Sequence, residues 1–142
     1  MTLQAFRTLL ADYSFCVTYS PLLNEAPLPS VIPDEVETFT LPTDATNDPF
    51  DTARELIQKA AGRKTVVLLP GTRFDAAGTR HGRGSGWYDR FLSAVPAEWL
   101  RIGVCTEAQF SIEPLTRESW DEPVDYIVVG DELCRSVVSR LA

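Results

Sequence analysis

The sequence predicts an α/β fold, specifically a three-layer α/β/α sandwich with a mostly parallel sheet. Residues 66–69 and 126–129 are uninterrupted apolar runs, which are typical of strands buried on both faces of a parallel sheet. Segments with helical spacing of apolar residues alternate with these runs, and that alternation favours parallel pairing. Because the chain has 142 residues, we expect residues 1–142 to form a single domain.

The first third of the chain predicts a helix, two short strands and a long loop. Apolar residues recur at helical spacing over residues 2–12, which indicates a short amphipathic helix. Residues 15–19 and 38–41 are strand-like. Between them, four prolines over residues 20–36 exclude a regular element and predict a surface loop of a length that often binds ligands.

A second helix is predicted over residues 50–61, with Asn47 or Asp48 as its cap and Pro49 in its first turn. Gly62 is expected to end it. The buried strand at residues 66–69 then leads into a glycine-rich segment.

The remaining elements continue the alternation. A helix is predicted to begin near Trp87, strands at residues 102–105 and 126–129, and a closing helix over residues 133–141 that includes Val137, Val138 and Leu141. Ligands of such folds bind at the carboxyl ends of the strands. The glycine-rich segment follows one of these ends.

Charge and cysteine content exclude several classes of protein. The formal net charge is −7, which argues against a broad surface for nucleic acid or an anionic membrane. The three cysteines have no metal-ligand or CxxC spacing, and Cys16 and Cys105 are expected to act as small hydrophobes. No signal peptide or membrane span is visible, so we expect a cytoplasmic protein.

Residues 78–90, Gly-Thr-Arg-His-Gly-Arg-Gly-Ser-Gly-Trp-Tyr-Asp-Arg, hold four of the chain's eight glycines and its one histidine. Glycine at this density allows close approach of the backbone to a ligand. The segment also opens a helix, whose free N–H groups and dipole favour an anion. We therefore predict a phosphate cradle; the alternative is an exposed turn whose glycines serve only geometry.

Two arginines and two aspartates are the main candidate site residues. Arg80 and Arg83 are predicted to contact the anion, although they could instead pair with surface acids such as Asp75 or Glu107. Asp89 and Asp121 are predicted to hold Mg²⁺, which takes one or two carboxylates together with phosphate oxygens. Alternatively, Asp89 is only a favourable charge near a helix start.

The neighbouring side chains have more ordinary expected roles. Either Trp87 or Tyr88 should pack into the core, while the other could stack on a planar ligand. His81 has no partner motif and is expected to be a loop residue rather than a catalytic base. Because no lysine follows the glycines, the pattern is not a Walker A loop, and its GxGxG spacing is not GxGxxG.

The block Leu-Pro-Gly-Thr-Arg-Phe-Asp at residues 69–75, followed by Gly-x-Arg-x-Gly-x-Gly-x-Gly-x-Tyr-Asp-Arg at 78–90, resembles 5-formyltetrahydrofolate cyclo-ligases (methenyltetrahydrofolate synthetases). The family's block is approximately PGxxFDxxGxRLGxGxGYYDR. The resemblance spans residues 66–133 and includes Gln109 and Trp-Asp-Glu-Pro-Val-Asp at 120–125. His81 and Trp87 depart from the family's Leu and Tyr.

The resemblance implies an ATP- and Mg²⁺-dependent ligase of one-carbon metabolism that converts 5-formyltetrahydrofolate to 5,10-methenyltetrahydrofolate. By matched position, the resemblance assigns four roles. The ATP phosphates would lie against Arg80, His81, Gly82, Arg83, Gly84, Ser85, Gly86, Trp87 and Tyr88. The reduced folate would border Arg83, Gly84, Ser85, Gly86 and Trp87. Asp89 and Asp121 would hold Mg²⁺, and Arg83 and Asp89 would act in catalysis.

Two further hypotheses stay open at this stage. Family members present a lysine and an arginine to ATP from an opening helix, whereas this sequence has no lysine before Lys59 and only Arg7 in its first helix. A non-catalytic module that binds a nucleotide, a folate or pterin, or another phosphorylated ligand is therefore the alternative. A paralogue with another small substrate, shaped by residues 20–36, is a third. Monomer and homo-oligomer are equally open.

Overall fold

A computed structural model describes residues 2–30, 32–42, 47–130 and the backbone of 133–136. In this part of the chain the helices are α1 (Leu3–Leu9), α2 (Pro49–Ala60) and α3 (Trp87–Ala94). The strands are β1 (Phe15–Thr18), β2 (Glu37–Thr40), β3 (Thr65–Leu69), β4 (Arg73–Asp75), β5 (Arg80–His81), β6 (Leu100–Cys105), β7 (Phe110–Ser111), β8 (Tyr126–Val129) and β9 (Leu133–Ser136). Short 3₁₀ turns follow α1 at Leu10–Asp12 and β6 at Glu107–Gln109.

The main sheet has six strands in the order β2-β1-β3-β6-β8-β9. The pairings from β2 through β8 are all parallel, and only the β8–β9 pairing at the edge is antiparallel. The central strands β1, β3 and β6 are buried along their whole length, as their apolar residues predict, although β6 also contains the buried Arg101. The predicted α/β fold with a mostly parallel sheet is confirmed.

Helices cover both faces of this sheet. Along β3, Val67 and Leu69 pack in one cluster with residues of α2 and α3, whereas Val66 and Leu68 pack in another with Phe6 of α1. The alternation follows from the two-residue period of a strand. Side chains of β3 therefore contact helices on both faces of the sheet, which gives the α/β/α layering.

Helix α2 begins and ends with recognisable caps. The Asp48 carboxylate accepts hydrogen bonds from the N–H groups of Phe50 (2.8 Å) and Asp51 (3.3 Å), so Asp48 rather than Asn47 is the cap. Pro49 occupies the first turn, as predicted. At the other end Ala61 itself takes the left-handed conformation, one residue before the predicted Gly62.

A small second sheet, ordered β5-β4-β7, was not predicted. Its strands have two or three residues, too few to show any hydrophobic period. Asp75 at the end of β4 fixes the sheet. Its carboxylate accepts hydrogen bonds from the N–H groups of Ala77 (3.0 Å), Thr79 (2.9 Å) and Leu115 (2.8 Å).

The closing helix predicted over residues 133–141 is wrong over its first four residues. Leu133–Ser136 form β9, which pairs antiparallel with β8 after a turn at Gly130, where φ is 61°. The periodicity of a short apolar run does not distinguish a helix from a strand. Here the unpaired edge of β8 offers backbone hydrogen bonds, and residues 133–136 pair with it as a strand. Val137, Val138 and Leu141 lie outside the described residues.

Cys16 and Cys105 are buried free thiols, as expected. Burial raises the pKa of each thiol to about 12, so neither is a nucleophile near neutral pH. No helix in the described ranges has both the length and the apolar character that crossing a membrane requires.

Candidate active site

A cavity of about 680 Å³ lies beyond the carboxyl ends of β1, β2 and β3. Its walls come from the residues that follow these strands and from the glycine-rich segment, in the position that parallel α/β sheets favour for ligands. Every site residue predicted from the sequence lines it: Arg80, His81, Gly82, Arg83, Gly84, Ser85, Gly86, Trp87, Tyr88, Asp89 and Asp121.

The glycine-rich segment turns sharply before α3. Gly84 and Gly86 have φ values of 94° and 71°, which side-chain-bearing residues rarely adopt. Gly86 is the N-cap of α3 and supplies no side-chain cap, so the first N–H groups of the helix are not capped by it. The Trp87 N–H donates to the Ser85 hydroxyl (3.3 Å), and the helix start presents the positive end of its dipole beside the cavity.

Arg80 is a buried cation at the cavity wall, with only 9% of its surface exposed. Its Nε donates a hydrogen bond to the Pro70 carbonyl, and its guanidinium lies 4.6 Å from the centroid of the Tyr88 ring. Among the described residues, no hydrogen-bond acceptor engages its two terminal nitrogens. A buried guanidinium with unpaired donors on a cavity is suited to an anion.

Burial lowers the pKa of Arg80, and the negative charges of Asp89, Glu25 and Asp121 oppose that shift. A guanidinium remains protonated at any physiological pH, so the cavity wall keeps its positive charge. A Cβ at Gly82 would lie 3.0 Å from an Arg80 terminal nitrogen, so any other residue at position 82 would crowd the guanidinium.

Arg83 lies at the other side of the segment and already has partners. Its guanidinium donates to the Leu23 carbonyl, and its Nε lies 3.6 Å from the Glu25 carboxylate. Pairing with Asp75 or Glu107, which the sequence left open, is not seen in the described part of the chain. Glu25 comes from the proline-rich loop instead.

The carboxylates of Asp89 and Asp121 face each other. Asp89 accepts a hydrogen bond from the Glu122 N–H (3.0 Å), and Asp121 accepts one from the Glu118 N–H (2.8 Å). Burial raises the pKa of Asp89, and the neighbouring Asp121 adds to the rise. Two carboxylates that disfavour each other's charge in this way are suited to a shared cation.

This pair fits a magnesium ion only if the ligand also contributes. No group of three or more His, Cys, Asp or Glu side chains converges on a metal position within the described ranges. Mg²⁺ usually keeps several waters and takes one or two carboxylates plus phosphate oxygens. The donor set therefore fits a metal that arrives with a phosphate-bearing ligand.

Trp87 and Tyr88 were predicted to divide between the core and a ligand, but in the structure both pack against the core and both line the cavity. Trp87 stacks on Phe91 with ring centroids 5.3 Å apart, and both Trp87 and Tyr88 pack against the core while lining the cavity. Burial raises the pKa of Tyr88 to about 12, so its hydroxyl stays protonated. The Trp87 indole donates to the Asn47 carbonyl (2.8 Å).

His81 lies at the cavity edge with one ring nitrogen 2.7 Å from the Thr116 carbonyl. That nitrogen must donate, because a carbonyl oxygen only accepts. The hydrogen bond orients the imidazole against the segment that follows β7. His81 belongs to β5, where it pairs with Arg73, so the expectation of a loop residue is wrong.

Sequence reasoning did not single out several residues of the cavity wall. Tyr19 and Thr72 follow the carboxyl ends of β1 and β3, so the position rule for parallel sheets could have identified them. Glu25 gave no such signal, because it lies in an irregular loop far from the glycine-rich segment in sequence. Its place beside Arg83 comes from tertiary structure alone.

The fold and the cavity define an α/β protein of the kind that holds small ligands beyond the carboxyl ends of parallel strands. The chain belongs to the 5-formyltetrahydrofolate cyclo-ligase family, whose sequence profile matches residues 39–130. The predicted family is thereby confirmed, over a range that begins earlier than the resemblance at residues 66–133.

Individual relatives match over shorter stretches. The 5-formyltetrahydrofolate cyclo-ligase of Mycoplasma genitalium is 35% identical over 61 residues, which cover 43% of this chain and 36% of that protein. The enzyme of the same name from Haemophilus influenzae is 35% identical over 66 residues, or 46% and 35% of the two chains. The matched stretch thus spans about a third of these relatives.

A solved structure of a 5,10-methenyltetrahydrofolate synthetase from Mycoplasma pneumoniae has the same fold, with a TM-score of 0.58. The alignment covers 92% of this chain and 84% of that chain at 17% sequence identity. At this identity the likeness establishes the fold and leaves the activity to other evidence.

Proposed function

We propose that this chain is a 5-formyltetrahydrofolate cyclo-ligase that uses Mg-ATP to form 5,10-methenyltetrahydrofolate. The observation that carries the proposal is Arg80, a buried guanidinium whose terminal nitrogens are open to the cavity. Family membership supplies the substrates, and the cavity wall supplies the groups that such substrates need. Both lines of support concern the same glycine-rich segment.

The residues have distinct tasks in this proposal. Arg80, Arg83 and the N–H groups at the start of α3 neutralise and position the phosphates. Asp89 and Asp121 would hold Mg²⁺, which would supply charge neutralisation to the phosphates. Trp87 and Tyr88 offer aromatic surface to a planar substrate.

The proposed reaction needs no nucleophile from the protein. When the formyl oxygen of the substrate accepts the phosphoryl group of ATP, the neighbouring ring nitrogen of the same substrate closes the new ring and phosphate leaves. The nucleophile belongs to the substrate, which suits a cavity without an activated cysteine or a free histidine base among the described residues. Positioning and electrostatic stabilisation carry such a reaction.

A non-catalytic binding module of the same fold is the second candidate. One observation favours it: among the described residues that line the cavity, every cationic side chain is an arginine and none is a lysine. A module of this kind would hold a nucleotide, a folate or another phosphorylated ligand without turnover.

The test follows methenyltetrahydrofolate absorbance and ADP release together, with purified protein, 5-formyltetrahydrofolate and Mg-ATP. We expect both signals from the wild type and a loss of at least about 100-fold in Arg83→Ala, since transition-state charge is lost. Arg73→Ala, an exposed arginine on β4, is the matched control and should keep full turnover.

Two results would contradict the enzyme proposal. Binding of Mg-ATP without either product favours the binding module. Release of ADP without methenyltetrahydrofolate indicates another acceptor. Equal turnover by Arg83→Ala and the wild type would remove Arg83 from the mechanism.

A further inference from the structure

Arg101 is a buried cation inside strand β6, behind the residues that line the cavity. Only 4% of its side chain is exposed, and its neighbours in the strand, Leu100 and Ile102, belong to the apolar core. Burying a charge costs free energy unless the charge is paired, and an apolar residue of similar volume often stabilises a core as well or better. An arginine at this position therefore indicates a task besides packing.

The Arg101 guanidinium joins helix α3 to residues 122–125, the segment before β8. Its Nη2 donates to the Leu92 carbonyl (3.3 Å), one of the last four carbonyls of α3, which lack partners within the helix. Its Nη1 donates to the Pro123 carbonyl (3.2 Å) and to the Glu122 carboxylate (3.3 Å). A guanidinium can bridge two elements in this way because its donors form a rigid, planar fork.

The backbone of Arg101 holds the other end of the same segment. The Arg101 N–H donates to the Asp125 carboxylate (2.8 Å), and the Asp125 N–H donates to the Arg101 carbonyl (2.8 Å). Between these ends, the Val124 N–H donates to the Gly78 carbonyl (3.0 Å), where the glycine-rich segment begins. Residues 122–125 are therefore attached to β6, to α3 and to the glycine-rich segment at once.

Both proposed metal ligands adjoin these contacts. Asp121 immediately precedes Glu122, and Asp89 lies three residues before Leu92, on the same face of α3. The Glu122 N–H donates to the Asp89 carboxylate (3.0 Å), so the segment also touches the first carboxylate directly. The hydrogen bonds of Arg101 thus act on the two elements that carry the carboxylates, and they fix the position of one carboxylate relative to the other.

We propose that Arg101 is a positioning residue for metal binding, which holds α3 and residues 121–123 at the separation where Asp89 and Asp121 bind one Mg²⁺ together. This inference rests on the proposed magnesium site. Arg101 acts through the two carboxylates rather than on the ligand. Because Mg²⁺ requires near-octahedral geometry at short distances, a small change in the separation of the carboxylates weakens its binding.

The first experiment is calorimetric titration of ATP, with and without Mg²⁺, into the wild type and Arg101→Met. Methionine fills much of the same space with a flexible apolar chain and donates no hydrogen bond. The ratio of the two ATP affinities, called here the magnesium increment, should fall about tenfold in Arg101→Met, as is usual when a group that orients metal ligands is removed. The ATP affinity without Mg²⁺ should match the wild type, whereas general damage to the fold would lower both affinities.

Arg63→Met is the matched control. Arg63 also donates to carbonyls at a helix end, those of Ala60 (3.0 Å) and Lys59 (2.8 Å) in α2, and it pairs with Glu37 (3.1 Å). It lies just before β3, at the end of the sheet opposite to the cavity. This variant should keep the magnesium increment of the wild type.

Glu122→Ala extends the test to a milder change. It removes one partner of Arg101 at a side chain that is 28% exposed, so the fold tolerates it more readily than the loss of a buried arginine. We expect a smaller fall in the magnesium increment than in Arg101→Met. If Arg101→Met does not fold, an unchanged increment in Glu122→Ala overturns the inference and a reduced one supports it.

Hydrogen exchange at the Glu122 amide provides a second readout that needs neither metal nor nucleotide. This amide is bonded to the Asp89 carboxylate, so its protection reports how firmly the segment is held against α3. We expect faster exchange there in Arg101→Met than in the wild type. The amides of α2 should exchange alike in the two proteins.

The outcomes separate this inference from the proposed function. Equal magnesium increments in the wild type and a folded Arg101→Met would overturn the positioning role while leaving the binding of Mg-ATP intact. Equal losses of ATP affinity with and without Mg²⁺ would also overturn it, since Arg101 would then only maintain the fold. A reduced increment in Arg63→Met would show that the effect is not specific to Arg101. If Mg²⁺ does not tighten ATP binding to the wild type, the proposed metal site fails and this inference fails with it.

Discussion

Position 103 in β6 has no room for a methyl group. A Cβ there would lie 2.3 Å from a ring carbon of Phe74, whose side chain is fully buried. Gly103→Ala should therefore lower the free energy of unfolding by about 1–3 kcal/mol, the usual cost of overpacking a core. Urea titration followed by circular dichroism measures this loss.

A double-mutant cycle shows whether the Phe74 ring is the cause. Phe74→Leu removes the ring atoms that the new methyl group would meet, so Gly103→Ala should cost less in that background. Strictly additive losses in the two backgrounds would contradict the steric explanation and point to the backbone of β6 instead.

Asp75 links the stability of the small sheet to pH. Burial raises its pKa, but the three backbone N–H donors outweigh burial and hold the pKa below the ordinary aspartate range. A carboxyl whose folded pKa is lowered stabilises the fold fully above the unfolded pKa of about 4, and this contribution is lost as pH falls through the folded pKa.

Asp75→Asn tests that dependence. We expect the variant to lose about 1–3 kcal/mol of unfolding free energy at neutral pH, because an amide oxygen is a weaker acceptor and its NH₂ group meets backbone donors. Below about pH 4 its deficit should shrink. Unfolding curves between pH 3 and pH 7 provide the comparison, and a deficit that is constant over this range would exclude the charge as the source.

At the scale of elements, the cap of α2 has a measurable contribution. Asp48→Ala removes the acceptor for the N–H groups of Phe50 and Asp51 and should cost about 0.5–2 kcal/mol. Asp48→Asn keeps an oxygen in the same place and should cost much less. Equal losses in the two variants would show that the hydrogen bonds do not stabilise the helix.

The elements that the sequence predicted well are those whose residues have a long, uniform environment. The buried strands β1, β3, β6 and β8 appear as apolar runs, and α2 has both a period and caps. β9 was predicted as a helix because a partner strand, rather than its own pattern, determines its conformation. β4, β5 and β7 are too short to carry a period at all.

The candidate site likewise has a part that the sequence predicted and a part that it did not. Local chemistry identified the glycine-rich segment, its arginines and the Asp89–Asp121 pair, because glycine density and a helix start are visible in a short stretch. Gln109 donates to the carbonyl of Asn24, 85 residues away in the chain, and Glu25 lies beside Arg83. Such contacts form only in the assembled fold, so a local sequence pattern does not predict them.

For the whole molecule, stability and the proposed activity oppose each other at Asp89. Burial and Asp121 raise its pKa, so the folded state binds more protons than the unfolded state between the two pKa values, and stability falls as pH rises through that interval. At neutral pH the ionised carboxylate therefore costs stability. Asp89→Asn should melt no lower than the wild type there, although it removes a proposed metal ligand.

The most direct test of the account is calorimetric titration of ATP into wild type and Asp89→Asn, each with and without Mg²⁺. We expect Mg²⁺ to tighten ATP binding to the wild type by at least about tenfold, or 1.4 kcal/mol, and to have little effect on a stably folded Asp89→Asn variant. Identical affinities in all four titrations, or no binding of ATP in any of them, would contradict the assignment of this cavity as a magnesium–phosphate site.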